Sequence, residues 1–150
     1  MVRKAKLKDA KEICSLISYW AKEGMVLERS LNYIYENIRD FWVFQDKEKL
    51  LGVSALHIVG WDDLAEIKSL VVDKRYHKRG IGKRLVDACL QEAKELEVKK
   101  VFVLTLTGSF FEKLGFRKID KKELPHKIWS ECVNCIYFPD CKEEAFVLSI

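Results

Sequence analysis

The 150-residue chain contains no long apolar run, and its lysine-rich start leads into an amphipathic helix where a signal peptide would carry an apolar core. A membrane-spanning or secreted protein is therefore not expected, and a cytoplasmic one is. Low-complexity segments and internal repeats are also missing, so disordered-tail and solenoid readings have nothing to rest on. The net charge of +4 falls short of the usual nucleic-acid signature while suiting small anionic ligands. What is present is a chain with 49% hydrophobic and 11% aromatic residues, enough to bury one substantial core, and a single domain over residues 1–150 is expected.

Residues 66 to 84, EIKSLVVDKRYHKRGIGKR, carry the most information. Ile67, Leu70, Val71 and Val72 form the β-branched, apolar run of a buried strand. Beyond it Ile81, Leu85, Cys89, Ala93 and Leu96 recur at helical spacing. In the turn between them, Gly80 and Gly82 have no Cβ, so a ligand can approach the main chain closely. The helix starts there, and its unpaired amides face any anion seated in the turn. Lys74, Arg75, Lys78, Arg79, Lys83 and Arg84 add positive charge around it. G-x-G alone is a weak signal, but strand, basic loop and helix together read as a phosphate site.

The rest of the chain alternates the two periods. Val2 to Lys4 is a short strand, and Asp9 with Glu12 reads as a capping pair for a helix whose apolar face is Ile13, Leu16, Ile17, Trp20 and Ala21. Gly24 ends it, and Ser30 starts a second helix with Leu31, Ile34, Tyr35 and Ile38 on one face. Phe41 to Gln45 and Leu50 to His57 flank the polar turn 46–49 as an antiparallel hairpin. A strand carrying Glu66, a helix from Ile81 to Glu95, a strand from Lys100 to Thr105, a short helix near Phe110 to Leu114, and strands at Arg117 to Ile119 and Ala145 to Ile150 complete the pattern. The fold class is α+β: a mixed, mostly antiparallel sheet flanked by helices.

HKRGIG resembles the Q/R-x-x-G-x-G/A loop of the GNAT superfamily of N-acetyltransferases, with His77 where that pattern has Gln or Arg. VRKAKLKDAKEI resembles the superfamily's first strand and helix, and FFEKLGF its penultimate helix and following strand. A narrower likeness is to the stand-alone N-acetylglutamate synthase type of amino-acid acetyltransferase, through LERS, AEIKSLVV, VFVLT and LPHKIWSECVNC. The resemblance implies a GNAT-like acyl-CoA N-acyltransferase fold, acetyl-CoA as cosubstrate, and acetylation of the α-amine of a small amino acid, L-glutamate first, as in arginine biosynthesis. Longer synthases of this type carry an amino-acid-kinase-like domain for which this chain has no counterpart, so feedback control located there is not expected.

Acetyl transfer needs a base for the amine, donors for the thioester carbonyl and an acid for the departing thiolate. Glu66 is the candidate base, and strand alternation puts it on one face with Lys68 and Leu70; a salt bridge to Lys68 is the plainer alternative. The amides of Leu70, Val71 and Val72, at a splayed strand end, are candidates for the carbonyl and the pantetheine arm. His77, Lys78, Arg79, Gly80, Ile81, Gly82 and Lys83 would hold the pyrophosphate. The tyrosine that commonly serves as acid in the superfamily is replaced by Phe111, which has no hydroxyl; Ser109 and Thr107 just upstream are candidates for that role, or helix caps. For a dicarboxylate acceptor, Arg29 and Lys68 are the candidate cations, with a surface role as the other reading of Arg29.

His126, Cys132, Cys135 and Cys141 have the spacing H-x5-C-x2-C-x5-C. Zinc is an open alternative there, with free thiols in a packed insert carrying Trp129, Tyr137 and Phe138 as the default. Cys14 and Cys89 read as core. Other acceptors remain in play, namely glutamine, another small amine or a protein N-terminus, and a homodimer is left open. A non-catalytic CoA-binding or nucleic-acid-binding module is the reading from another class.

Overall fold

Alternating residues of one strand, Val43 and Phe44, enter different cores of the protein, as pleating requires of a sheet covered on both faces. The computed structural model describes residues 1–60, 63–124 and 142–150. Along the chain it forms β1 (Val2–Lys4), α1 (Ala10–Lys22), α2 (Leu31–Glu36), β2 (Phe41–Asp46), β3 (Lys49–Ile58), β4 (Leu64–Val72), α3 (Ile81–Glu95), β5 (Lys100–Thr105), α4 (Gly108–Lys113), β6 (Arg117–Ile119) and β7 (Glu144–Ser149). The strands make one seven-stranded sheet in the order β1-β2-β3-β4-β5-β7-β6. Pairing is antiparallel for β1 with β2, β2 with β3, β5 with β7 and β6 with β7, and parallel for β4 with β5. The α+β expectation is met.

Two units divide the chain. In the first, Met1–His57 with Ile67–Glu92, one core gathers Ile13 and Ile17 of α1, Ile34 of α2, Phe41, Val43 and Val53. A second gathers Phe44, Leu51, Ile81 and Leu85, with Leu70 and Val72 packed against it. In the other unit, Ile58–Glu66 with Ala93–Ile150, Phe102, Ala145 and Val147 are buried with Val59 and Leu124.

Local signals hold where a backbone group has no better offer. Gly24, at φ 76°, closes α1 with its N–H donating to the Ala21 carbonyl at 3.0 Å, while Met25 N–H donates to the Trp20 carbonyl at 3.0 Å. This is the paired closure that a left-handed glycine permits. Ser30 caps α2 by accepting from Tyr33 N–H at 3.0 Å. The helix stops at Glu36, and Ile38 starts a separate 3₁₀ turn.

The Asp9–Glu12 capping pair does not form. Asp9 is buried and accepts two bonds from the Arg3 guanidinium, at 2.8 and 3.0 Å, and one from Lys6 N–H at 2.7 Å. Glu12 instead accepts from Leu50 N–H at 3.2 Å. A two-pronged charged donor outbids a local amide for the same carboxylate. Its hydrogen bonds hold the Asp9 carboxyl below the usual range.

Candidate active site

The strand-to-helix turn begins where Asp73 N–H donates to the Leu51 carbonyl at 2.7 Å. The Asp73 carboxylate then accepts from Arg75 N–H at 3.0 Å, starting a 3₁₀ turn over Lys74–Tyr76. Lys78 and Gly80 both take left-handed angles, φ 63° and 78°. A Cβ on Gly80 would meet nothing within 4 Å, so glycine serves the backbone angle there and not a shortage of room. Arg84 N–H donates to the Gly80 carbonyl at 3.1 Å, which makes Gly80 the cap of α3. Having no side chain, it offers no acceptor to the first amides of Ile81, Gly82 and Lys83.

Gly52 sets how closely α3 rests on β3. A Cβ there would lie 3.0 Å from Leu85 Cδ1, 3.1 Å from Ile81 Cγ2 and 3.3 Å from the Val71 carbonyl. Sequence reading missed this residue, since nothing local distinguishes a strand glycine that a helix crosses.

Among the described residues, Arg75 and Lys83 of the cations around the turn form ion pairs. Arg75 pairs with Asp73 at 3.2 Å, which holds the Asp73 carboxyl below its usual range, and Lys83 pairs with Asp87 at 2.9 Å. Arg79 lies 5.3 Å from the Tyr76 ring centroid. His77 is also engaged: its Nε2 is 3.0 Å from the Val72 carbonyl, which accepts from Trp20 Nε1 at 3.0 Å as well. A carbonyl oxygen can only accept, so Nε2 carries the hydrogen, and Nδ1 of the neutral ring is an acceptor.

Leu70, Val71 and Val72 send their side chains into the cores. The parallel ladder with β5 runs through Leu64, Ala65 and Glu66, so the amides of residues 70–72 lie outside it. Glu66 is buried, 4% exposed, and stands opposite Phe102 in that ladder. The expected alternation from Glu66 through Lys68 to Leu70 is broken, because Ser69 takes φ 56° inside the strand. A left-handed residue resets which face its successors occupy.

Arg29 and Lys68 meet at a residue the sequence reading overlooked. The Arg29 guanidinium carbon is 4.9 Å and Lys68 Nζ 5.6 Å from the centroid of the Tyr33 ring. Arg29 Nε is buried without a hydrogen-bond partner among the described residues. The only hint in the sequence was the spacing of Arg29 and Tyr33, one helical turn apart across the Ser30 cap.

Thr107 is exposed and stands before α4, where its hydroxyl caps nothing and instead lies 3.0 Å from Thr105 Oγ1. Ser109 is exposed within the first turn of α4, which begins two residues earlier than periodicity suggests. A Cβ on Gly108 would run into the Phe146 ring, so this start of the helix packs against β7 at glycine range. Phe111 is buried edge-on to Phe110 and Phe116, at 5.0 and 5.4 Å.

The histidine and cysteines weighed for zinc, His126, Cys132, Cys135 and Cys141, lie outside the described residues. Cys89 is buried beside Ser54, and burial pushes its thiol up to about 12. A groove of about 530 Å³ lined by Lys11, Cys14, Ser15, Tyr19 and Leu31 contains none of the candidate site residues. Among the described residues no helix is long and apolar enough to cross a membrane.

The model of the acetyltransferase (GNAT) family matches residues 9–116. An uncharacterized N-acetyltransferase of Chlorobaculum tepidum is 40% identical over 149 residues, 99% of this chain and 96% of that protein. An amino-acid acetyltransferase of Mycobacterium tuberculosis is 35% identical over 134 residues, 87% of this chain and 76% of its own length. Among solved structures, a Mycobacterium tuberculosis protein in complex with CoA and NLQ has a TM-score of 0.85 at 30% identity, covering 100% of this chain and 99% of that one. The N-acetylglutamate synthase of Neisseria gonorrhoeae, complexed with coenzyme A and N-acetyl-glutamate, has a TM-score of 0.88 at 26% identity; the match covers 99% of this chain and 34% of the synthase.

Proposed function

The chain belongs to the acetyltransferase (GNAT) family, and from that premise we propose that residues 1–150 form one catalytic domain that transfers acetyl from acetyl-CoA to the α-amine of L-glutamate. The relatives named amino-acid acetyltransferase support an amino-acid acceptor. The observation that carries the acidic acceptor is the gathering of Arg29 and Lys68 on one ring, at 4.9 and 5.6 Å. Burying a dicarboxylate costs heavily unless paired charge meets it.

In this reading transfer is direct. Glu66 takes a proton from the substrate ammonium, itself or through water, and the freed amine attacks the thioester carbonyl. Amides of Leu70, Val71 and Val72 steady the oxyanion. The C–S bond then breaks, and the second proton of the nitrogen passes through Ser109, Thr107 or water to the CoA thiolate, since Phe111 has none to give. The pyrophosphate is held by the turn from His77 to Lys83, through the uncapped amides of α3 and the cations Lys78 and Arg79.

The test is thiol release from acetyl-CoA against all the amino acids together with polyamines and short peptides. Turnover with glutamate well above every other acceptor is expected. Turnover confined to other acceptors would defeat the glutamate assignment and leave the family standing.

A further inference from the structure

We infer that Tyr33 is a positioning residue that gathers Arg29 and Lys68 into one carboxylate-binding site, and so sets the preference for an acidic or carboxylate-bearing acceptor; this rests on the acetyltransferase reading above. The backbone that carries the ring is held before any ligand arrives. Tyr33 N–H donates to the Ser30 hydroxyl at 3.0 Å, and the Tyr33 carbonyl accepts from the Asn37 backbone N–H at 3.0 Å and from Asn37 Nδ2 at 2.9 Å. Half-buried against the core of α1 and α2, the side chain has little freedom to swing away.

Onto that fixed ring come one cation from the residue just before the Ser30 cap and another from β4. Two positive groups sharing one ring repel each other, and the negative faces of the ring offset part of that repulsion. The buried Arg29 Nε, which has no acceptor among the described residues, points the same way: a guanidinium already placed, with an N–H still to be met. A carboxylate supplies the paired acceptors that a guanidinium fork takes, with the Lys68 ammonium on the same ring beside it. Arg29 is itself steadied from behind, because its carbonyl accepts from the Cys14 thiol at 3.7 Å.

The experiment compares the wild-type protein with Tyr33→Phe, Tyr33→Leu and Tyr33→Met, measuring KM for acetyl-CoA, KM for the best amino-acid acceptor of the panel, and kcat. Tyr33→Phe keeps the ring face and should stay within about threefold of wild type. Leu and Met keep apolar bulk without a ring and should raise the acceptor KM about tenfold, the loss expected for two weakened cation–ring contacts, with the acetyl-CoA KM unchanged. Two aliphatic replacements of different shape guard against one that folds poorly, and thermal melts identify it. An unchanged acceptor KM in Leu and Met, or an equal rise in the acetyl-CoA KM, overturns the inference. If the wild type prefers an amino acid other than glutamate, the glutamate assignment fails while Tyr33 is tested on that amino acid. If only amines without a carboxylate are acetylated, the carboxylate site is overturned as well.

Discussion

Trp20 and His77 lie face to face, with ring centroids 5.2 Å apart and planes 13° from parallel, and both donate to the carbonyl of Val72 at 3.0 Å. The last turn of α1, the end of β4 and the start of the basic turn are thereby tied at one oxygen. The residue that departs from the family's loop pattern is thus engaged inside the chain as a brace.

If His77 acts as a brace, the donor is what counts. His77→Gln, which keeps an N–H, should bind acetyl-CoA within about threefold of wild type. His77→Ala should raise its KM about tenfold with little change in kcat, the scale of one lost hydrogen bond plus a lost stack. Trp20→Phe keeps the stack and loses one bond, so a smaller rise is expected. Equal KM values for His77→Ala and wild type in steady-state assays would dismiss the brace.

Glu66→Gln should lower kcat about 100-fold or more, the usual contribution of a positioned base, while the acetyl-CoA KM stays the same. The deficit should shrink as pH rises, because a growing fraction of the amine is already deprotonated. A pH–rate profile measures this. A constant deficit at every pH would argue that Glu66 matters for packing or charge alone.

Gly52→Ala should destabilise the protein by about 1–3 kcal/mol, the range for overpacking a tight contact. The added carbon meets Leu85, Ile81 and the Val71 carbonyl within 3.3 Å, so α3 must shift. In the proposed reading that helix presents amides to the pyrophosphate, so the acetyl-CoA KM should rise in the same variant. A melt combined with a KM determination checks both. Unchanged values would mean that the helix has slack.

The Arg3–Asp9 pair makes a pH prediction whose sign is fixed. Hydrogen bonds from Arg3 depress the Asp9 carboxyl in the folded state, so its contribution is complete above the unfolded-state value near pH 4 and is lost as pH falls through the lower folded value. Asp9→Asn should cost about 1–3 kcal/mol at neutral pH, and it should flatten this part of the acid-side decline. Chemical denaturation at pH 7 and pH 3 tests it: the gap between the two proteins must narrow on acidification.

Most of the fold could be read along the chain because its signals are short-ranged. Ile13, Ile17 and Ile34 face a core because a helix repeats every 3.6 residues, Ser30 caps because its hydroxyl reaches an amide three residues on, and Gly24 ends a helix because it tolerates φ 76°. The strand-to-helix turn was legible for the same reason, since strand, glycines and helix are contiguous from residue 66 to 84. Exceptions arise where a competing donor or an unusual backbone angle intervened. Arg3 took the Asp9 carboxylate from its capping role, and Ser69 broke an alternation that β-branched neighbours had no means of announcing.

The sequence by itself determined the elements, their order and the position of the glycine-bearing, basic turn between β4 and α3, because each depends on residues within a few positions of one another. Only the tertiary structure decided that Arg29 and Lys68 share the ring of Tyr33, that Gly52 carries α3, and that His77 is turned onto Val72. Those contacts join residues up to 39 positions apart for Arg29 and Lys68, and as far as Trp20 from Val72. Packing, which has no period along the chain, is what brought them together.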